Sequence, residues 1–466
     1  MPTIKDLMRK EGVEDSFKEK ITIHGHNKDM IDEALRKLKQ PNPSRFFSVK
    51  EVFNRIGFGF SNHQFLNILF YNIGASVFLV GLINGLRAIL SMLFSSFMRE
   101  YNKIKTFSKN FISSAGIIYG FSFLFIAYAL AIKSRLFFAL ALLIGSVGVV
   151  AHGDAYMEFV RNSLKKEKMA HFLRNISHYG VFITGIMILV GAFILDSIPL
   201  FGKLVTFNIL GQVFTLRLYG HVVIFEITSI CFILSGYILS FVQETRRNAE
   251  YYLSNFLNEF YKRMQDYSSV IIENNMVKWM FFTTLIFSFV QILGNSYYGI
   301  YIYENFKYTA FGGFMNVAVI YFIAIFVSFL GPMFANSLKI GQAPLMVFGS
   351  LLIAILPLTF AFNPNILAIG VAMIFSVIGS SIMGVSQGLL ANELLTQEKR
   401  DKYFSCTGFI MAFPMLILIP AGAYAAQFLG LQLFFMLIAG ILIFIVTPLY
   451  FVLVVKSQRR LFSENY

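Results

Sequence analysis

Cysteine is nearly missing from this chain: Cys231 and Cys406 are the whole complement, and both lie inside apolar stretches. That excludes a disulfide framework, and no Cys/His group has metal-ligand spacing, so neither a zinc site nor any other metal or cofactor is expected. Charge is scarce as well. Charged residues make up 14% of the chain, where a soluble domain carries roughly a quarter, which excludes an ordinary soluble fold. No Gly-x-x-x-x-Gly-Lys-Ser/Thr loop occurs, so ATP is not the expected energy source. Residues 1–50 alternate charge with polarity and lack the short apolar core of a signal peptide, so they are expected to stay in the cytoplasm.

What is abundant is apolar sequence, at 56% of residues. A membrane helix needs ~20 predominantly apolar residues to cross the hydrocarbon. That ruler finds twelve spans: 51–71, 75–97, 108–132, 135–160, 171–195 and 218–242, then 279–302, 309–335, 341–362, 366–392, 403–427 and 430–455. The expected fold class is an all-α polytopic membrane protein. Between the two sets lies one long hydrophilic stretch, 243–278. Its apolar residues Ala249, Tyr252, Leu253, Phe256, Leu257, Phe260, Met264, Tyr267 and Ile271 recur every three or four positions, the stripe of an amphipathic helix. Such a helix is expected to lie on the membrane surface and tie the two blocks together. In the extension, Met30, Ile31, Leu35 and Leu38 mark one short helix, and Ser48 with Glu51 has capping-box spacing for the start of span 1.

The net charge of +14 does not indicate nucleic acid, because Lys and Arg sit in short clusters between spans rather than along one face. Read as topology, they follow the positive-inside rule. Eleven basic residues precede span 1, and more follow spans 2, 4, 8 and 10, whereas the opposite side receives only Lys133, Arg135, Lys203, Arg217 and Lys307. Both termini are therefore expected in the cytoplasm. The domain boundaries follow as an extension (1–50), a first bundle (51–242), a linker (243–278), a second bundle (279–455) and a tail (456–466).

The halves echo each other: Leu164-Lys-Lys-Glu-Lys168 after span 4 matches Leu395-Thr-Gln-Glu-Lys399 after span 10, at about half the chain length. Repeats of this type mark transporter folds with a binding site between the repeats near the midplane. Six plus six spans, a long central loop and basic loops after spans 2, 4, 8 and 10 resemble the major facilitator superfamily, over roughly residues 50 to 456. The resemblance implies two pseudo-symmetric six-helix bundles. The family's signature loop after span 2 is degraded to Ser95-Ser-Phe-Met-Arg99-Glu100-Tyr-Asn102-Lys103-Ile-Lys105, with Arg99 where an aspartate would lie, and Gly331-Pro-Met-Phe-Ala-Asn-Ser-Leu-Lys339 lacks the acid too.

An ionisable side chain at mid-helix costs ~2.5–3.5 kcal/mol on insertion scales, so it marks a partner or a water-filled cavity. Such polar positions are Asn62 and His63 in span 1, Arg87 in span 2, His152 and Asp154 in span 4, Glu226 in span 6, Gln291 and Asn295 in span 7 and Gln387 in span 10. The resemblance implies that spans 1, 4, 7 and 10 line the central cavity, which places Asn62, His63, His152, Asp154, Gln291, Asn295 and Gln387 on the substrate path. Arg87 needs a counter-ion. Depth favours Glu226 and the family's cavity geometry favours Asp154. Taking Glu226 leaves Asp154, beside His152, free to carry a proton. The expected protein is a secondary transporter of the plasma membrane, not an enzyme. It would act as a monomer among membrane lipids on a small solute, with protons or another coupling ion. A membrane-embedded transferase using His63 or Asp154 as a base, or a solute sensor derived from a transporter, are the alternatives.

Overall fold

The computed structural model describes residues 43–104, 109–164, 166–198, 202–209, 212–242, 253–309, 311–337 and 341–463. The short helix expected around Met30–Leu38, and the start of the amphipathic stripe at Ala249 and Tyr252, lie outside the described residues. The described residues from Phe46 on form one compact unit.

Span 1 is two helices, α1 (Pro43–Phe60) and α2 (His63–Asn72). The helix begins at Pro43, a residue preorganised for a first turn, so Ser48 is internal and the capping-box expectation fails. Glu51 instead meets the Lys50 ammonium at 2.9 Å. Among the described residues, eleven further spans are long and apolar enough to cross a membrane. In the first half they are α3 (Val77–Ile104), α4 (Lys109–Ala131), α5 (Arg135–Ser163), α6 (Lys166–Ser197) and α7 (Gly220–Leu239). After the linker helix α8 (Leu253–Glu273) come α9 (Asn275–Phe306), α10 (Gly313–Ser337), α11 (Gln342–Ala361), α12 (Ile366–Leu394) and α13 (Gln397–Leu429). The twelfth span is α14 (Leu431–Ile441) and α15 (Thr447–Ser463), joined by a π-turn over Leu442–Val446.

The packing pairs carry the two-fold repeat. In the first half α4 packs on α5 and α7, and α3 on α5; in the second α11 packs on α12 and the α14–α15 span, and α10 on α12. Numbered by span, pairs 3·4, 3·6 and 2·4 recur as 9·10, 9·12 and 8·10. Between the halves α3 packs on α13 and α6 on α10, pairs 2·11 and 5·8, which a shift of six spans exchanges. Large apolar side chains such as Leu136, Phe193, Ile417 and Phe444 stand exposed on the outside. That is the surface a hydrocarbon solvent requires.

Two features lie outside the bundles. Strands β1 (Lys203–Ile209) and β2 (Gln212–Leu218) pair antiparallel between α6 and α7, with Thr206 opposite Thr215 and Phe207 opposite Phe214. At the other end, α8 buries Phe256, Phe260 and Met264 against α3 and α13. Its apolar stripe therefore covers protein rather than a lipid surface. Tyr267 donates to Glu100 Oε2 at 3.2 Å, and Lys399 reaches Glu273 at 3.0 Å. Burial and then the Glu100 carboxylate push the Tyr267 phenol above its ordinary value, which keeps it a donor.

Candidate functional site

The break in span 1 positions the site. Ser61 N and Oγ both turn back to Gly57 O, and Asn62 leaves helical geometry at φ −48 and ψ 129. Its Oδ1 accepts from Gln64 N at 2.9 Å, capping α2 as Asn does best. A new helix thus starts at mid-depth, and its first turns present Gln64 and Asn67 to α9. Gln64 brackets that helix, donating to Asn295 O at 2.9 Å and accepting from Gly299 N at 2.9 Å. Its Nε2 also lies 2.6 Å from His63 Nε2.

From there a polar relay runs across the first half. Asn67 Nδ2 donates to Ser296 O (3.1 Å), Asn84 Nδ2 to Asn67 Oδ1 (2.8 Å), Arg87 Nη1 to Asn84 Oδ1 (3.2 Å) and Arg87 Nε to Ser146 Oγ (3.0 Å). The relay's neutral groups on α2, α3, α5 and α9 therefore do not supply the counter-charge that Arg87 lacks. No carboxylate forms an ion pair with it among the described residues.

The two ends of the inter-half seam differ. On the hairpin side, Asp196 at the end of α6 accepts from Phe314 N at 3.2 Å and Met315 N at 2.8 Å, sealing the start of α10. Close approach reinforces the closure, since a Cβ at Gly85 would come within 2.0 Å of Ile419 Cγ2. On the linker side the halves enclose space. A cavity of about 490 Å³ is lined by Arg99, Asp154, Glu158, Arg161, Asp401 and Phe404. A second, of about 230 Å³, shares Arg99 and Phe404 and adds Met280, Thr284 and Gln387.

The expected site residues divide accordingly. Asn62 is the cap, and His63 is exposed with its ring edge-on to Tyr321 of α10. Asn295 is exposed on α9, and Gln291 is half-buried without a hydrogen-bond partner among the described residues. Asp154 lines the larger cavity and accepts from Ser95 at 2.8 Å. Gln387 lines the smaller one and donates to Tyr450 at 3.1 Å. Two expectations fail. His152 points into the first bundle, where Nδ1 bonds Ile112 O at 3.0 Å and the ring stacks on Tyr156, so it is a packing residue. Glu226 is exposed on the same face of α7 as Ile230, Leu234 and Tyr237, the lipid-facing surface, so it is neither on a pathway nor the counter-ion of Arg87.

The sequence reading passed over Gln64, Asn67, Asn84, Ser95, Ser146 and Asp196. One signal was available: Asn84, Arg87, Ser91 and Ser95 recur every three or four residues, a polar stripe along α3.

No protein-family model matches the sequence, and no curated protein does. Solved structures match closely in shape. The nucleoside transporter NupG aligns over 89% of this chain and 99% of its own, at 10% identity and a TM-score of 0.66. A bacterial homologue of the iron transporter ferroportin, in an inward-facing state, aligns over 88% and 98% at 10% identity and a TM-score of 0.63. A D-xylose-proton symporter aligns over 88% and 96% at 14% identity and a TM-score of 0.59. This chain has the major facilitator fold. Spans 4, 7 and 10 contribute Asp154, Met280 with Thr284, and Gln387 to the cavities, beside Arg99 of span 2 and Phe404 of span 11, while span 1, expected among the lining helices, contributes to neither. It is a multi-pass membrane protein.

Proposed function

We propose that this protein is a secondary active transporter that moves a small solute across the plasma membrane by alternating access, as a monomer. The observation that carries the reading is the unequal seam: hydrogen bonds and close helix contact close the hairpin side, while on the linker side cavities open between the halves beside the α3–α13 contact. A broken helix and a polar relay lie between those ends, where a transporter of this fold places its solute. The Lys/Arg distribution puts the linker, both termini and the cavity mouth in the cytoplasm, making this the inward-open state. Asp154, in the mouth and held by a neutral hydroxyl, is the coupling group if protons drive the cycle. The matched structures are transporters, which favours transport over a transferase. The domain limits proposed are those of the sequence pattern, with the linker helix narrowed to Leu253–Glu273. The test is reconstitution of the purified chain in proteoliposomes with an imposed proton or sodium gradient and a panel of labelled solutes. Gradient-dependent accumulation is expected; folded protein that moves none of them, and gives no counterflow, overturns the reading.

A further inference from the structure

Arg87 keeps its proton under all physiological conditions, and it sits ten residues into α3 with three of its five N–H groups unclaimed by any described acceptor. The described carboxylates of the first half are all placed elsewhere. Glu51 meets Lys50, Glu100 meets Arg263 and Tyr267, Glu158 meets Arg161, Asp196 caps α10, and Glu226 faces lipid. Asp154 lies at the level of Ser95, eight residues along α3, about 12 Å at the helical rise of 1.5 Å per residue. A role confined to bridging Ser146 and Asn84 needs only neutral donors, as a glutamine amide has. The charge is therefore unexplained by the protein around it.

We propose that Arg87 is the docking point for an anionic solute, a small molecule bearing a carboxylate or phosphate group. The inference rests on the transport reading above and narrows it to a substrate class. A guanidinium with free N–H groups makes a two-point contact with such an oxyanion. The half-buried Asn84 bonds the Arg87 guanidinium directly; Asn67 and Gln64, fully buried, spend their amides on Asn84 and α9, so the exposed His63 and Asn295 beside Gln64 are the groups left for the rest of the solute. The N-terminus of α2 at the same depth adds positive potential of the same sign. The relay touches α9 through Ser296, so an anion on Arg87 lies next to the seam that must rearrange during transport.

The test uses the full chain in detergent and reads thermal midpoints with lactate, succinate, glycerol 3-phosphate and inorganic phosphate, against glycerol and choline, at matched ionic strength. At least one anion should raise the wild-type midpoint in a concentration-dependent way, and Arg87→Gln should weaken that response tenfold or more. Asn84→Asp is the second variant: it places a carboxylate against the guanidinium, so it should fold and abolish the anion response. The inference is overturned if no anion stabilises the wild type, if glycerol or choline does so equally, or if both variants respond as wild type does. Anion binding without flux in proteoliposomes refutes transport and leaves the anion site standing. Flux of a neutral solute with no anion response does the opposite.

Discussion

Asp196 offers the sharpest test of the inward-open assignment, because one side chain from α6 holds the start of α10 across the two halves. Its carboxylate takes two backbone N–H groups, at 3.2 and 2.8 Å, at a helix N-terminus. Hydrogen bonds to a charged group contribute about 1.5–3 kcal/mol when well shielded, and a carboxylate at a helix start about 0.3–1 kcal/mol more. Asp196 is exposed at this end, so solvent screening reduces the sum. A net of about 1.4 kcal/mol is reasonable, a factor of ten in an equilibrium. If the contact exists only while the hairpin side is closed, Asp196→Ala should raise the hairpin-open population about tenfold. Spin labels at Ser197 and Phe311, in a background without Cys231 and Cys406, report that population as a distance distribution. Gly312→Ala should act the same way: Gly312 sits at φ +80, and an added Cβ would come within 2.5 Å of Asp196 Oδ2. A lowered thermal midpoint with an unchanged distance distribution in both variants would refute the reasoning and make the contact merely structural.

Asn62→Ala removes the cap of α2 and should cost about 1 kcal/mol, seen as a midpoint lower by a few degrees, with a larger relative loss of uptake because α2 carries Gln64 and Asn67. Asp154→Asn should leave the midpoint within a degree of wild type and remove the dependence of uptake on the proton gradient; retained dependence eliminates Asp154 as the coupling group. Glu226→Gln should change neither yield nor uptake, since the side chain faces outward from α7. A cysteine at Asn363, which is exposed on the hairpin side, should react with an impermeant reagent added outside whole cells, and one at Lys262 on α8 should react only after permeabilisation; the opposite pattern reverses the membrane orientation.

Most of the fold was legible because its signals are additive over long windows. Runs of ~20 apolar residues survive any local exception, and eleven spans stand within a few residues of their expected places. Span 1 departs because two short-range preferences outweigh its apolar pattern: the Ser61 hydroxyl competes for a helical carbonyl and Asn62 caps better than it propagates. The hairpin was hidden by the opposite effect. Its alternation over residues 203–218 is a period-two pattern too short to register beside membrane helices. For the site, the cost of an ionisable residue in a membrane singled out Arg87, which the structure places in the polar relay, and Asp154, which it places in the lining of the larger cavity. Cost says that a residue needs a reason and not which way it faces, and depth along a helix cannot distinguish the cavity from the lipid. Glu226 and His152 failed on direction alone.

The linker helix shows the same distinction at the level of a whole element. Phe256, Phe260, Met264 and Ile271 of its expected apolar stripe are buried, Leu257 is exposed, and the covering surface is protein where lipid was expected, because a stripe specifies that something apolar is opposite without specifying lipid or protein. Here Phe256 and Phe260 pack edge-on against Phe97 of α3, and Phe260 against Phe409 of α13. Those two spans already meet closely, since a Cβ at Gly408 would lie 3.0 Å from Ser96 Oγ and 3.1 Å from Met92 O. By gripping a pair that is itself one from each half, α8 tethers the halves at a hinge-like contact. It supplies none of the residues lining either cavity. In the proposed alternating-access cycle, a strap placed there would limit how far the halves separate without having to let go when the mouth closes. The stretch expected as a degraded loop after span 2 instead continues α3 as helix to Ile104, and Glu100, fully buried and bonded by Tyr267 and Arg263, serves the docking of α8. Arg99 meanwhile spans the seam to Phe404 O at 3.1 Å.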